Sequence, residues 1–139
     1  MSQRAPHAHA AFVAACAIVL ASCSHCDRSE ETLASNSRGD SVLDVFEGCT
    51  SIGTTLEESI YLVSPTGERT LLVSFAPNPG ILAEDGKSLP GPERPEAVWK
   101  DDRSLHITLG TVSEVSEQKR TVNGISVSYR IGHILSPKS

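Results

Sequence analysis

Aromatic residues are scarce in this chain: one Trp, two Tyr and three Phe among 139 residues. A core must then be built from aliphatic side chains, with Trp99 as its largest candidate member. Basic charge is also short. Twelve Lys and Arg face seventeen Asp and Glu, for a formal charge of −5. With no basic patch, the sequence argues against a nucleic-acid partner and against a polybasic membrane-surface protein. No apolar run reaches the ~20 residues that a membrane-spanning helix needs. No repeat of about 20–50 residues is visible. There is no His-Glu-x-x-His, Gly-x-Ser-x-Gly, phosphate-binding loop or dinucleotide-binding glycine motif. The length fits one domain.

What is present begins with an unbroken run of small and apolar residues from Ala10 to Ala21, preceded by the single cation Arg4. Twelve residues suit the apolar heart of a secretory signal better than a spanning helix. A buried N-terminal helix is the plain alternative, but it would have no polar face to turn to water. The run ends in Leu20-Ala21-Ser22-Cys23. This tetrapeptide resembles the lipobox of bacterial lipoproteins. The resemblance implies removal of residues 1–22, acylation of the Cys23 sulfur, and anchoring in a bacterial envelope membrane. Ser24 after the cysteine implies the outer membrane in a Gram-negative host. Several acyl chains hold a protein stably at a membrane where a single chain does not. Without Arg4 the remaining chain keeps 11 basic and 17 acidic side chains, a charge of −6.

Four cysteines are present: Cys16, Cys23, Cys26 and Cys49. The first leaves with the signal and the second is taken by the lipid. Cys26 and Cys49 remain in an oxidising compartment, where a disulfide is the expected pairing. The alternative is a buried Cys49 with a free or intermolecular Cys26. Cys23-Ser-His-Cys26 spells a C-x-x-C motif, but an acylated Cys23 has no thiolate for redox or metal chemistry. His25 and Cys49 alone make a poor tetrahedral metal set.

Residues 23–40 are mostly polar and read as a lipidated cysteine with a tether. Residues 41–135 read as a β-domain and 136–139 as a tail. Within the β-domain, short β-type runs occur at Val42–Phe46, Ser59–Val63, Thr70–Phe75, Ala97–Lys100 and Leu105–Leu109. The clearest run places Ile125, Val127, Tyr129 and Ile131 on one face and Ser126, Ser128 and Arg130 on the other. Turns are expected at Pro65-Thr-Gly67, Asp101–Ser104 and Asn123-Gly124. A strand within Val112–Val122 is expected to pair with the last run, although Val112, Val115 and Val122 do not keep one parity. No segment shows helical periodicity; Leu56–Tyr61 is the one place where a helical turn would fit. The expectation is an all-β fold: a single small antiparallel sheet or sandwich-like domain of about six to seven strands. Pro77 to Glu96 holds five prolines and three glycines and reads as a long loop, either mobile and edge-covering or binding.

Two stretches, Ser64-Pro-Thr-Gly-Glu-Arg-Thr-Leu-Leu-Val and Val98-Trp-Lys-Asp-Asp-Arg-Ser-Leu-His-Ile, resemble the hairpins of TolB-type propeller blades. A propeller needs at least four blades of about 40 residues, so the resemblance implies hairpins of this kind in a smaller sheet. The hairpin order after Cys49–Thr54 also resembles small bacterial envelope proteins.

Candidate chemistry is thin. Asp101 and Asp102 sit in an expected turn, and His106 points outward from the next strand. Together they form a candidate acid–base or metal site; the bland reading is solvated turn residues. Glu57-Glu58 and Glu30-Glu31 read as solvated faces. These features favour a lipid-anchored, non-catalytic envelope module for binding or adaptor work, with no cofactor and no metal. Its partners would be the membrane through the anchor and a second envelope protein. The alternative is a small envelope enzyme or metal-binding protein centred on Asp101, Asp102 and His106.

Overall fold

The computed structural model describes residues 25–50, 54–77 and 91–135. The lipobox, Cys16 and Cys23 lie outside them, as do residues 78–90 of the Pro/Gly-rich stretch and the 136–139 tail. The fold is all-β, with no helix among the described residues. Eight strands form one sheet: β1 (His25–Ser35), β2 (Ser41–Thr50), β3 (Thr54–Val63), β4 (Arg69–Pro77), β5 (Glu96–Asp101), β6 (Ser104–Gln118), β7 (Thr121–Val122) and β8 (Ile125–Ile134). The spatial order is β1-β2-β3-β4-β6-β8-β7, and β5 also pairs with β6.

The first four strands form an antiparallel meander. Its last turn, between β3 and β4, is the expected Pro65-Thr-Gly67, closed by Gly67 N–H to the Ser64 carbonyl at 2.9 Å. Gly67 has φ +88°, which glycine adopts without steric cost. Leu56–Tyr61 is not a helical turn; it lies within β3, paired to β2 along its length. Asn123 and Gly124, both with positive φ, turn β7 into β8 as expected of this dipeptide.

One expectation is corrected and another is narrowed. Residues 25–35, read as a tether, form the edge strand β1, paired with β2 from His25↔Thr50 to Ser35↔Ser41. Its polar composition fits an edge whose side chains meet water. The last run meets Val112–Val122 only at the two ends of that stretch: β7 pairs with it antiparallel, Thr121↔Ser126 and Val122↔Ile125, and Val112 pairs parallel with Ile134. β8 runs parallel to the first part of β6, from Ser104↔Ser126 to Val112↔Ile134. The Asn123-Gly124 turn connects it only to the two-residue β7.

β6 organises this arrangement. A straight strand of its length would extend about 50 Å. Yet the carbonyl of Arg120, just past its end, accepts a bond from Val127 N–H at 2.8 Å, and Val127 pairs with Leu105 near its start. The strand therefore doubles back. Its buried residues switch parity at the bend: Leu105, Ile107 and Leu109, then Val112. Gly110 sits between them, and a Cβ there would collide with the Pro92 carbonyl. Two register shifts follow in the ladder with β4, where Ser116 and Ser113 are passed over. Such bulges bend and twist a strand. They also explain why the valines of this stretch keep no common parity.

The curled sheet encloses one aliphatic core, including Val42, Ile60, Leu72, Val73, Ile107 and Leu109, each fully buried or nearly so. Ile125 and Val127 are buried and Tyr129 and Ile131 pack against the core, while Ser126, Ser128 and Arg130 are exposed. Trp99 packs on the core half-buried. A register shift between Ile60 and Tyr61 leaves Leu72 as the extra residue of β4. Its carbonyl accepts Lys119 N–H at 2.7 Å and lies 3.1 Å from the Tyr129 hydroxyl. That hydroxyl also bonds the Lys119 carbonyl. Burial pushes the Tyr129 phenol up to about 12. β1 and β5 come together to draw the curl nearly closed. Side chains hold this seam: Ser37 Oγ lies 2.8 Å from both carboxylate oxygens of Asp102.

Candidate functional site

The inner face of the meander carries two kinds of side chain. On β2, Val42, Asp44 and Phe46 share that face; on β3, Leu56, Glu58, Ile60 and Leu62 do. Asp44 stands opposite Ile60, and Glu58 opposite Phe46. The two acids are thus diagonal neighbours across the ladder, a spacing that long side chains bridge. Asp44 keeps 9% of its surface exposed and Glu58 7%. They hydrogen-bond to each other. Two carboxyls in such contact must hold a proton between them.

Burial is the main cause of their shifted titration. It pushes the Glu58 carboxyl up to about 9, reinforced by the hydrogen bond that the protonated Glu58 donates to Asp44 and by repulsion from the Asp44 charge. Burial also raises Asp44 above the usual carboxylate range. The Arg94 guanidinium opposes both shifts but is a lesser influence. The pair titrates as a unit rather than as two independent acids. Asp44 Oδ1 is buried and has no hydrogen-bond partner. An unpaired buried acceptor is costly, so this atom stands out from the rest of the inner face.

These groups line a cavity of about 690 Å³. β1 supplies Ser29, Glu30 and Glu31; β2 and β3 supply Phe46 and Leu56 with the acid pair; β4 supplies Pro77. Glu93, Arg94 and Pro95 complete it from the segment before β5. That segment is seated by Gly91 and Pro92 on the backbone of Gly110 at the bend of β6. Arg94 Nη1 lies 3.3 Å from Glu31 Oε2, in an exposed pair. Glu30 is held below the usual carboxylate range by its hydrogen bonds to Arg69 and Arg28.

The residues singled out in the sequence fare differently. Cys26 and Cys49 face each other across β1 and β2, with Cα atoms 4.0 Å apart, and are joined as a disulfide. Asp101, Asp102 and His106 do not converge. Asp101 Oδ1 accepts Arg103 N–H at 2.8 Å within the turn, and Asp102 holds Ser37. His106 Nδ1 lies 2.8 Å from Ser128 Oγ. Among the described residues no group of three or more His, Cys, Asp or Glu is arranged to hold a metal. Glu58 corrects the reading of Glu57-Glu58 as a solvated face, since only Glu57 is exposed. Asp44 escaped notice inside the run Val42–Phe46. Parity was the available signal: both acids occupy positions whose neighbours two residues away are apolar.

Fold and site together define a small all-β protein whose curled, nearly closed sheet surrounds a carboxyl-lined cavity. Comparisons with models of protein families, with curated proteins and with solved structures find no match.

Proposed function

We propose that this chain is a lipid-anchored bacterial envelope protein that acts as a non-catalytic binding module, with the carboxyl-lined cavity as its ligand site. The observation that carries the reading is Asp44: a nearly buried carboxyl with one unpartnered oxygen, in the wall of a cavity of about 690 Å³. Ligand cavities in proteins span about 300–1,000 Å³ and combine apolar walls with a few placed polar groups. Phe46, Leu56, Pro77 and Pro95 supply the apolar walls here, and the acid pair supplies the polar groups. The anchor rests on Leu20-Ala21-Ser22-Cys23, and β1 begins two residues after Cys23, so the folded part would sit close to the membrane.

Two measurements test the two halves of the proposal. Mass spectrometry of protein from its native host should find residues 1–22 removed and Cys23 acylated; an unmodified Cys23 refutes the anchor. NMR titration of the full chain in detergent with a mixed set of small neutral, cationic and anionic fragments should give shifts concentrated at Phe46, Leu56 and their neighbours. A set that produces no localised shifts refutes the binding module.

A further inference from the structure

Resting on that reading of the cavity, we infer that its ligand is an organic cation: an ammonium or amidinium group that donates to Asp44 and Glu58, carried on an apolar body that lies against Phe46, Leu56 and the two prolines. Three observations converge on this chemistry. The first is the unpartnered Asp44 Oδ1, which asks for a donor. The second is the balance of charge around it. Glu31 and Glu30 on β1, Asp44 on β2, Glu58 on β3 and Glu93 before β5 are faced by Arg94 as the sole cation lining the cavity among the described residues. Arg94 is itself paired with Glu31, and the Glu30 charge is partly met by Arg69 and Arg28 from outside the cavity. Even with one proton on the acid pair, the site stays negative. An anionic ligand would meet repulsion there. A neutral donor would satisfy Oδ1 but leave the negative field unanswered.

The third observation concerns shape. A bare metal ion needs several oxygen or nitrogen ligands converging at about 2–2.6 Å. Among the described residues no three acidic, His or Cys side chains are so placed. The site has two carboxyls in contact and a larger space beyond them whose walls are part polar and part apolar, the latter from Phe46, Leu56, Pro77 and Pro95, which suits a charged head with a body attached. A protonated amine presents several N–H donors, and hydrogen bonds to charged groups are the strong ones. Glu58 and Asp44 keep their shared proton in the empty site. Arrival of a cation favours its release to solvent, so binding should tighten as pH rises from neutrality toward the point where the pair ionises. Glu31, Glu30 and Glu93 add to that field and Arg94 opposes it.

The test is a matched series of three probes on the full chain in detergent, followed by NMR: phenethylamine, phenethyl alcohol and hydrocinnamate. They share a phenyl ring and chain and differ in charge at the end. The expected result is localised shifts at the cavity with phenethylamine, at roughly millimolar affinity for so small a probe. The alcohol should bind at least about tenfold more weakly and hydrocinnamate not at all. Asp44→Asn should weaken phenethylamine about tenfold or more, as expected for loss of a charge-assisted hydrogen bond. Glu58→Gln should do the same and flatten the pH dependence; it provides an independent probe if Asp44→Asn fails to fold. Equal binding of the alcohol and the amine overturns the cation assignment and leaves the cavity a ligand site. Localised shifts from calcium chloride with none from the amine overturn it in favour of a metal. Silence from all these probes overturns the ligand-site reading itself.

Discussion

The two halves of the meander's inner face share one set of strands, one parity and nearly the same burial, yet differ in chemistry. Toward the β2–β3 chain ends at Ser41 and Val63, Val42, Ile60 and Leu62 are packed on aliphatic neighbours. A few residues along, Asp44 and Glu58 occupy equivalent positions beside a cavity. The apolar half gains stability from every buried methyl group. The acidic half gives stability away, because carboxyls taken from water lose hydration that a shared proton only partly replaces. The difference teaches where to look for function in a fold without a familiar motif: at positions that the strand pattern assigns to the core and that the chain fills with charge.

The largest expected effect comes from erasing that difference in the wrong place. Val127→Asp carries the charge of the acidic half to β8, where it would stand as a lone carboxyl among the aliphatic side chains of the core. It should cost about 4 kcal/mol in chemical denaturation. Next is the wall of the acidic half. β1 is mostly exposed and supplies Ser29 and Glu31 to the cavity. Replacing Cys26 and Cys49 together by alanine should lower stability by about 3 kcal/mol for a loop of this length. Hydrogen exchange should then speed up in β1 and β2 before it does in β6 and β8. Uniform loss of protection would show that the two regions are not separable.

A reverse exchange sharpens the comparison. Asp44→Leu with Glu58→Leu should stabilise the protein by about 2 kcal/mol, as replacement of buried charged groups by packed aliphatic ones often does. It should also abolish amine binding. The pH dependence of stability gives the same information without changing volume. Glu58 titrates at about 9 in the folded chain and in the ordinary carboxylate range when unfolded. Between those values the folded state holds more protons, so stability is greatest on the acid side and falls as pH rises through that window. Glu58→Gln should remove much of this slope, and an unchanged slope would place the responsible group elsewhere. The smallest effect belongs to the outer side of β8. Ser128→Asp lies one residue from Val127 but faces water, and should cost under about 0.5 kcal/mol.

Much of the fold is legible in the sequence because alternation is a local property. Ile125, Val127, Tyr129 and Ile131 announce their face directly, and Pro65-Thr-Gly67 and Asn123-Gly124 announce their turns. β1 was not legible, since an edge strand needs little apolar character and its partner lies in the next segment. The parallel pairing of β8 with β6 was hidden for another reason. It depends on β6 doubling back at Gly110, and the only trace of that is a break in parity among the valines. The candidate site was hidden by the company its residues keep. Glu58 follows another glutamate, and Asp44 sits inside an apolar run, so neither stands out until parity is counted across both strands.

The disulfide has a further consequence, for the order in which the chain assembles. Cys26 and Cys49 both belong to the first hairpin, 23 residues apart. Their bond therefore needs only β1 and β2 to meet, a local event. No other cysteine lies between Ser24 and Ser139, so this segment has no competing internal partner with which to form a mispaired bridge. The doubled β6 is at the other extreme, since its ladder to β8 waits for the final strand and its ladder to β4 joins two strands separated in sequence by residues 78–103. Long-range pairings of this kind form slowly because loop-closure entropy must be met first. One wall of the cavity can thus be covalently fixed while the rest of the sheet is still searching for its register.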